Sequence, residues 1–119
     1  MWGRSKKTTD GKVNEKVVRP KTAKNQLFVR FRDNATVFLE VEWNNETIEE
    51  VKRQQETYKA EKGKEIELHQ VPWREVRDWF LDETNGPDST ISIIHTTGEY
   101  IFIKKDVLRI EINLINVER

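Results

Sequence analysis

The strongest constraint on the fold is a pair of segments in which apolar and polar residues alternate on both sides of a short polar break. In residues 27–32 and 36–42, every second residue belongs to one apolar set: Leu27, Val29, Phe31, Val37, Leu39 and Val41. The break contains Asp33-Asn34, a pair that is typical of tight turns. Period two on both sides of a turn predicts a β-hairpin with one buried face.

The remainder of the chain predicts two helices and four more strands. A helix capped by Asn44 or Asn45 should end near residues 62–64, and residues 66–68 predict a short strand. Pro72 then opens a second helix. Its apolar stripe consists of Trp73, Val76, Phe80 and Leu81. The segments ISIIH, YIFI and VLRIEINLI predict three C-terminal strands.

These elements predict one α+β domain over residues 25–119, with a two-layer, mostly antiparallel sheet and two helices in the order β-β-α-β-α-β-β-β. Residues on the apolar phase of each segment should form a single core. That core consists of Val29, Leu39, Val41, Val76, Phe80, Ile101, Ile103, Ile110 and Ile112.

Residues 26–52 resemble the opening of ubiquitin, with one extra residue before Thr47. The matching positions, in order, are Gln26, Phe28, Val29, Thr36, Leu39, Glu40, Val41, Glu42, Thr47, Ile48, Glu49, Val51 and Lys52. The resemblance implies a β-grasp, in which a hairpin clasps a helix and the last strand lies beside the first; the alternative is another two-layer α+β sheet. Gln55 departs from the pattern at an apolar helix position. The chain ends without a diglycine, so conjugation to other proteins is not implied.

Charge is divided unequally along the chain. Residues 1–24 carry eight basic residues against Asp10 and Glu15, a net charge of +6, whereas residues 25–119 carry −6. The basic residues of this segment are Arg4, Lys6, Lys7, Lys12, Lys16, Arg19, Lys21 and Lys24. Because the segment has no hydrophobic period, we expect residues 1–24 to be a flexible basic arm.

No signature of catalysis or of a cofactor emerges from the sequence. The chain has no cysteine, and His69 and His95 are its only histidines, too few for a metal site of three or four ligands. We therefore expect no enzyme activity, no metal and no cofactor. The N-terminal residues are no signal peptide and no segment is apolar enough for a membrane helix, so a soluble, cytoplasmic protein without a membrane partner is expected.

The favoured function is a non-enzymatic protein-interaction module, or a small adaptor or assembly protein that also binds itself through a strand edge. Partner contacts are expected at Phe28, Phe38 and Trp43, which lie off the hairpin's buried set, at Trp2, and at the arm residues from Arg4 to Lys21. The alternative is a nucleic-acid-associated factor that binds phosphates through the arm. A third class, a small-molecule binder or enzyme, would need a pocket lined by His95, Tyr100 and carboxylates. The Lys- and Asn-rich composition suggests a phage or plasmid origin.

Overall fold

A computed structural model describes residues 22–96 and 98–117 of the chain. Its regular elements are β1 (Thr22–Phe31), β2 (Thr36–Trp43), α1 (Asn45–Lys62), α2 (Arg74–Leu81), β3 (Thr90–His95), β4 (Gly98–Ile103) and β5 (Val107–Val117). Short 3-10 helices span Leu68–Trp73 and Lys104–Asp106. The predicted arm lies outside the described residues, apart from residues 22–24, which begin β1.

The strands form two antiparallel sheets, so the predicted α+β class is confirmed. One sheet has the strand order β2-β1-β5, and the other consists of β3 and β4 alone. The short strand predicted at residues 66–68 is wrong. There the side chain of Gln70 accepts a hydrogen bond from the Glu67 amide, at 3.0 Å, and this cap starts the 3-10 helix that holds Pro72. Ile66 is buried, but it lies in a loop rather than in a strand.

The first hairpin has the predicted turn and the predicted buried face. Asn34 adopts the left-handed conformation, with a φ of 74°, and the Asp33 carboxylate accepts a hydrogen bond from the Ala35 amide at 3.0 Å. Leu27 then pairs with Leu39, and both are almost fully buried. The alternation of apolar and polar residues therefore identifies the covered face of this sheet correctly.

The main core lies between this face, α2 and the β3–β4 hairpin. Its buried members are Leu27, Val29, Leu39, Trp73, Val76, Trp79, Phe102 and Val107. Val41, Phe80, Ile110 and Ile112 pack against them, as predicted. The prediction is wrong for Ile101 and Ile103, because β4 turns Tyr100 and Phe102 inward.

A second cluster covers the end of the sheet where α1 begins. Asn44 caps α1 by accepting a hydrogen bond from the Thr47 amide, and Gly63 ends the helix in the left-handed conformation. Trp43 is only 1% exposed within this cluster, where it contacts the helix residues Val51 and Tyr58 among others. Trp43 shares the phase of Leu39 and Val41, since period two brings it to the same face.

Asn25 is a fully buried polar residue that joins three segments of the chain. Its side-chain amide donates to the carbonyl of His69, at 3.0 Å, and to that of Asn113, at 2.9 Å. Its Oδ1 atom has no hydrogen-bond partner among the described residues. The two donated bonds connect β1 to the 3-10 helix and to β5, at positions far apart in sequence.

Within the described part of the chain, β5 lies beside β1 in the three-stranded sheet. β5 pairs with β1 in antiparallel orientation over most of its length, with a bulge at Leu108 between the pairs Arg30–Arg109 and Phe31–Val107. The β-grasp assignment itself stays a hypothesis.

Candidate protein-interaction surface

The edge of β3 that faces away from β4 has backbone groups without strand partners. The two strands pair at His95 and Gly98, so their loop contains two residues. In such a hairpin the closing pair is hydrogen-bonded, and bonded pairs then alternate with unbonded ones. The N–H and C=O groups of Ser92 and Ile94 therefore point away from β4. Among the residues described, no strand pairs with this edge.

The outer edge of β2 lies close to that of β3 at one point. The Phe31 amide donates to the Ala35 carbonyl at 2.9 Å, which fixes the alternation in the first hairpin and directs the backbone groups of Glu40 outward. Nε2 of His95 lies 3.1 Å from the Glu40 carbonyl, to which it donates. The Thr96 hydroxyl is 3.3 Å from Nδ1 of the same ring. His95 thus holds the end of β3 against β2.

A groove with an apolar wall lies between these two edges, and we call it the β2–β3 groove. Its volume is about 380 Å³. It is lined by Val41 of β2, by Trp73 and Val76, and by residues 91–95 of β3. Glu75 is the acidic residue among its lining side chains. The rings of Trp73 and His95 are stacked, with centroids 6.5 Å apart. A depression with apolar lining residues beside an unpaired strand edge is suited to an extended peptide.

Trp73, which lines this groove, has a buried polar atom without a hydrogen-bond partner among the described residues. The residue is 4% exposed, and its indole nitrogen has no hydrogen-bond acceptor within the described part of the chain. A buried donor without an acceptor costs about 1–3 kcal/mol. The indole nitrogen is enclosed by protein, so it is a cost to the fold rather than a contact for a ligand in the groove.

The opposite side of the β3–β4 hairpin is an apolar surface. Thr90, Ser92 and Ile94 of β3 lie opposite Ile103, Ile101 and Glu99 of β4, and we call these six residues the outer hairpin face. Ile94 is 83% exposed, Ile101 64% and Ile103 36%. Ser92 donates a hydrogen bond of 2.5 Å to the Glu99 carboxylate across the strands. Large aliphatic side chains gathered at this exposure are typical of contact surfaces.

The partner residues predicted from the sequence are distributed over three places. Phe28 and Phe38 form a cross-strand pair on the other face of the three-stranded sheet, with ring centroids 4.9 Å apart, and Phe38 is 48% exposed. Trp43 was wrongly expected at the surface, because it belongs to the second buried cluster. The remaining predicted contacts, Trp2 and the basic residues from Arg4 to Lys21, lie outside the described residues.

Two of the ionisable side chains that lie between the helices, Tyr58 and Asp78, bond to each other. Tyr58 donates a 2.9 Å hydrogen bond to the Asp78 carboxylate; burial and then this bond raise the pKa of Tyr58. The pair joins α1 to α2. His95 lines the β2–β3 groove, whereas Tyr100 packs against the main core, so the two do not line one pocket there. Within residues 22–96 and 98–117, no three His, Asp or Glu side chains converge as metal ligands.

In comparisons with known proteins, no family model, curated protein or solved structure matches the chain. None of the helices in the described part of the chain has the length and apolar character needed to cross a membrane.

Proposed function

We propose that this chain is a non-enzymatic protein-interaction module that binds an extended segment of a partner protein as an additional strand on β3. The observation that carries the proposal is the unpaired edge at Ser92 and Ile94 beside the β2–β3 groove. Strand addition uses backbone hydrogen bonds for affinity and side-chain pockets for specificity. The edge of β3 supplies the unpaired backbone groups, and the β2–β3 groove supplies the side-chain pocket.

The groove also indicates the chemistry of the partner segment. Every second residue of an added strand would face Trp73 and Val76, so these residues should be apolar. Glu75 at the groove favours a Lys or Arg among the partner's side chains. A cytoplasmic location and an origin in a phage or plasmid remain predictions from composition.

The test is selection of heptapeptides from a random display library on the full chain, followed by binding measurements with two variants at Ser92. Ser92→Pro removes the outward amide at a position that does not bond to β4, so it should abolish binding of the selected peptides. Ser92→Ala loses the same hydroxyl but keeps the amide, so it should bind them normally. Peptides with alternating apolar residues and a cation are expected.

Two results would contradict the proposal. One is equal binding of the selected peptides by the Pro and Ala variants. The other is a library that yields no peptides while the chain binds duplex DNA through residues 1–21, which would favour the nucleic-acid-associated function instead.

A further inference from the structure

We infer that a segment of this chain's own arm, residues 12–19, occupies the edge of β3 as an added strand and competes there with the partner protein. The inference deepens the proposed function and rests on its assignment of the β3 edge as a strand-binding site. Three properties of the chain carry it: the residue pattern of this segment, the place where the arm joins β1, and the opposite charges of the arm and of residues 25–119.

The segment has the residue pattern that the β2–β3 groove requires of an added strand. Residues 12–19 read KVNEKVVR, and Val17 and Arg19 fall on the same face of an extended chain. The turn-type pair Asp10-Gly11 precedes the segment, and Pro20, which has no amide to donate to a strand ladder, follows it. Elsewhere in residues 1–21, large apolar side chains occur only at the first two positions. The arm therefore contains one candidate strand, with both ends defined by the sequence.

The arm joins the sheet close to the groove. The described part of the chain begins at Thr22, three residues before Asn25, and Asn25 pairs with the groove residue Val41. Three residues along β1 and one step across the sheet place Thr22 about 11 Å from Val41. An extended chain from Val17 to Thr22 spans about 17 Å. The segment is therefore long enough to reach the groove of its own chain.

Charge favours the arm as the occupant of this site. Residues 1–24 carry +6 and residues 25–119 carry −6, so the folded part of the chain attracts the arm as a whole. At the groove, Glu75 is exposed and has no ion pair within the described part of the chain. Its neighbour Arg74 donates to the Val71 carbonyl at 2.8 Å. A cation delivered by the arm would be the partner of Glu75.

One placement of the segment satisfies both the apolar wall and this acid. With Val17 against the apolar wall of the groove, Arg19 follows on the same face about 7 Å away, within reach of Glu75. Glu15 lies on the other side of Val17, about 13 Å from Arg19 and so away from Glu75. The backbone of the segment then bonds to the outward groups of Ser92 and Ile94.

The tether gives this contact a regulatory consequence. A short linker holds the segment at the edge at an effective concentration on the order of millimolar, so a weak strand contact suffices to occupy it. A partner then binds only the fraction of copies in which the edge is open, and its apparent affinity falls by that fraction. The same contact protects the free strand edge from unspecific pairing between copies.

The first experiment measures amide hydrogen exchange at Ser92 and Ile94 in the full chain by NMR. The double variant Val17→Thr/Arg19→Glu should exchange these amides at least about fivefold faster than the wild type, because the segment leaves the edge. Lys16→Glu/Val18→Thr is the matched control, since it makes the same changes of charge and polarity on the other face of the segment. It should exchange as the wild type does. Equal exchange in all three chains, or equal acceleration in both variants, would overturn the inference.

The second experiment measures competition, with heptapeptides selected from the display library on each of the same three chains. They should bind Val17→Thr/Arg19→Glu at least about fivefold more tightly than the wild type or the control. Peptides that need the Ser92 amide but bind all three chains equally would overturn the arm inference and leave strand addition by a partner intact. Slow exchange at Ser92 and Ile94 in the wild type, with no peptide selected on any chain, would refute the partner strand and support the arm as the occupant of the edge.

Discussion

Leu39→Ala should be among the most damaging single changes to the stability of this domain. Leu39 is 2% exposed and lies opposite Leu27 in the main core. Truncation loses the transfer free energy of the removed atoms and leaves a cavity that the rigid sheet cannot close. The expected loss of unfolding free energy is about 2–5 kcal/mol. Each kcal/mol should lower the melting temperature by about 4–8 °C for a domain of this size class.

The matched control is Ile101→Ala, which removes an aliphatic side chain of the same size from the exposed side of β4. Ile101 is 64% exposed, so about a third of a burial worth roughly 1.5–3 kcal/mol is lost, and the cost should stay below about 1 kcal/mol. Urea unfolding followed by tryptophan fluorescence, at a concentration where the chain is monomeric, measures both. Equal losses for the two variants would refute the assigned phase of β4.

Three further predictions concern α1, the contact between the helices, and the N-terminal residues. Asn44→Ala should cost about 1 kcal/mol in urea unfolding, because the Thr47 amide loses its cap; an unchanged midpoint would contradict the cap. The pKa of Tyr58 is raised in the folded state, so stability should fall as pH rises above 10, and Tyr58→Phe should remove that part of the slope. Any affinity for duplex DNA should disappear when residues 1–21 are deleted, and in the intact chain its log–log salt slope should be near −5, at about 0.9 per phosphate contact; salt-independent binding would contradict this.

The sequence determines the first hairpin well because one of its two phases is wholly apolar, whereas the other has charged residues beside Phe28 and Phe38. Glu40, Glu42 and Arg30 alternate with Leu39, Val41 and Val29, so a slip of one residue would bury charges. The turn residues agree with this pattern, and the structure has the same register. Trp43 follows the same rule, and the error there came from treating a large aromatic as separate from the alternation.

The second hairpin could not be predicted in the same way, because both of its phases are apolar. In β4 the run YIFI offers Tyr100 and Phe102 or Ile101 and Ile103 as the inner pair, and periodicity does not distinguish them. The two-residue loop sets the register of β4 against β3. In that register Tyr100 and Phe102 lie opposite Ile93 and Ile91, which face the main core. Two of the exposed isoleucines of the outer hairpin face, Ile101 and Ile103, are therefore wrongly placed in the predicted core.

The β2–β3 groove could not be predicted from the sequence either, and the reason is different. It combines Val41, Trp73 and residues 91–95, which come from three elements separated by long stretches of chain. No local pattern in the sequence indicates that the edges of β2 and β3 lie next to each other. Only the packing of the two sheets, with His95 bonded to the Glu40 carbonyl, brings those residues together.

The pairing of β1 with β5 has a consequence for synthesis on the ribosome. β1 is the central strand, and its second neighbour ends at Val117, 74 residues after the end of β2 at Trp43. At about 5–20 residues per second, translation of that interval takes roughly 4–15 s. During this time the nascent hairpin presents the whole β1 edge unpaired, including the buried amide of Asn25. The sheet can be completed only once β5 has been synthesised, and nascent-chain chaperones have that interval in which to bind the open edge.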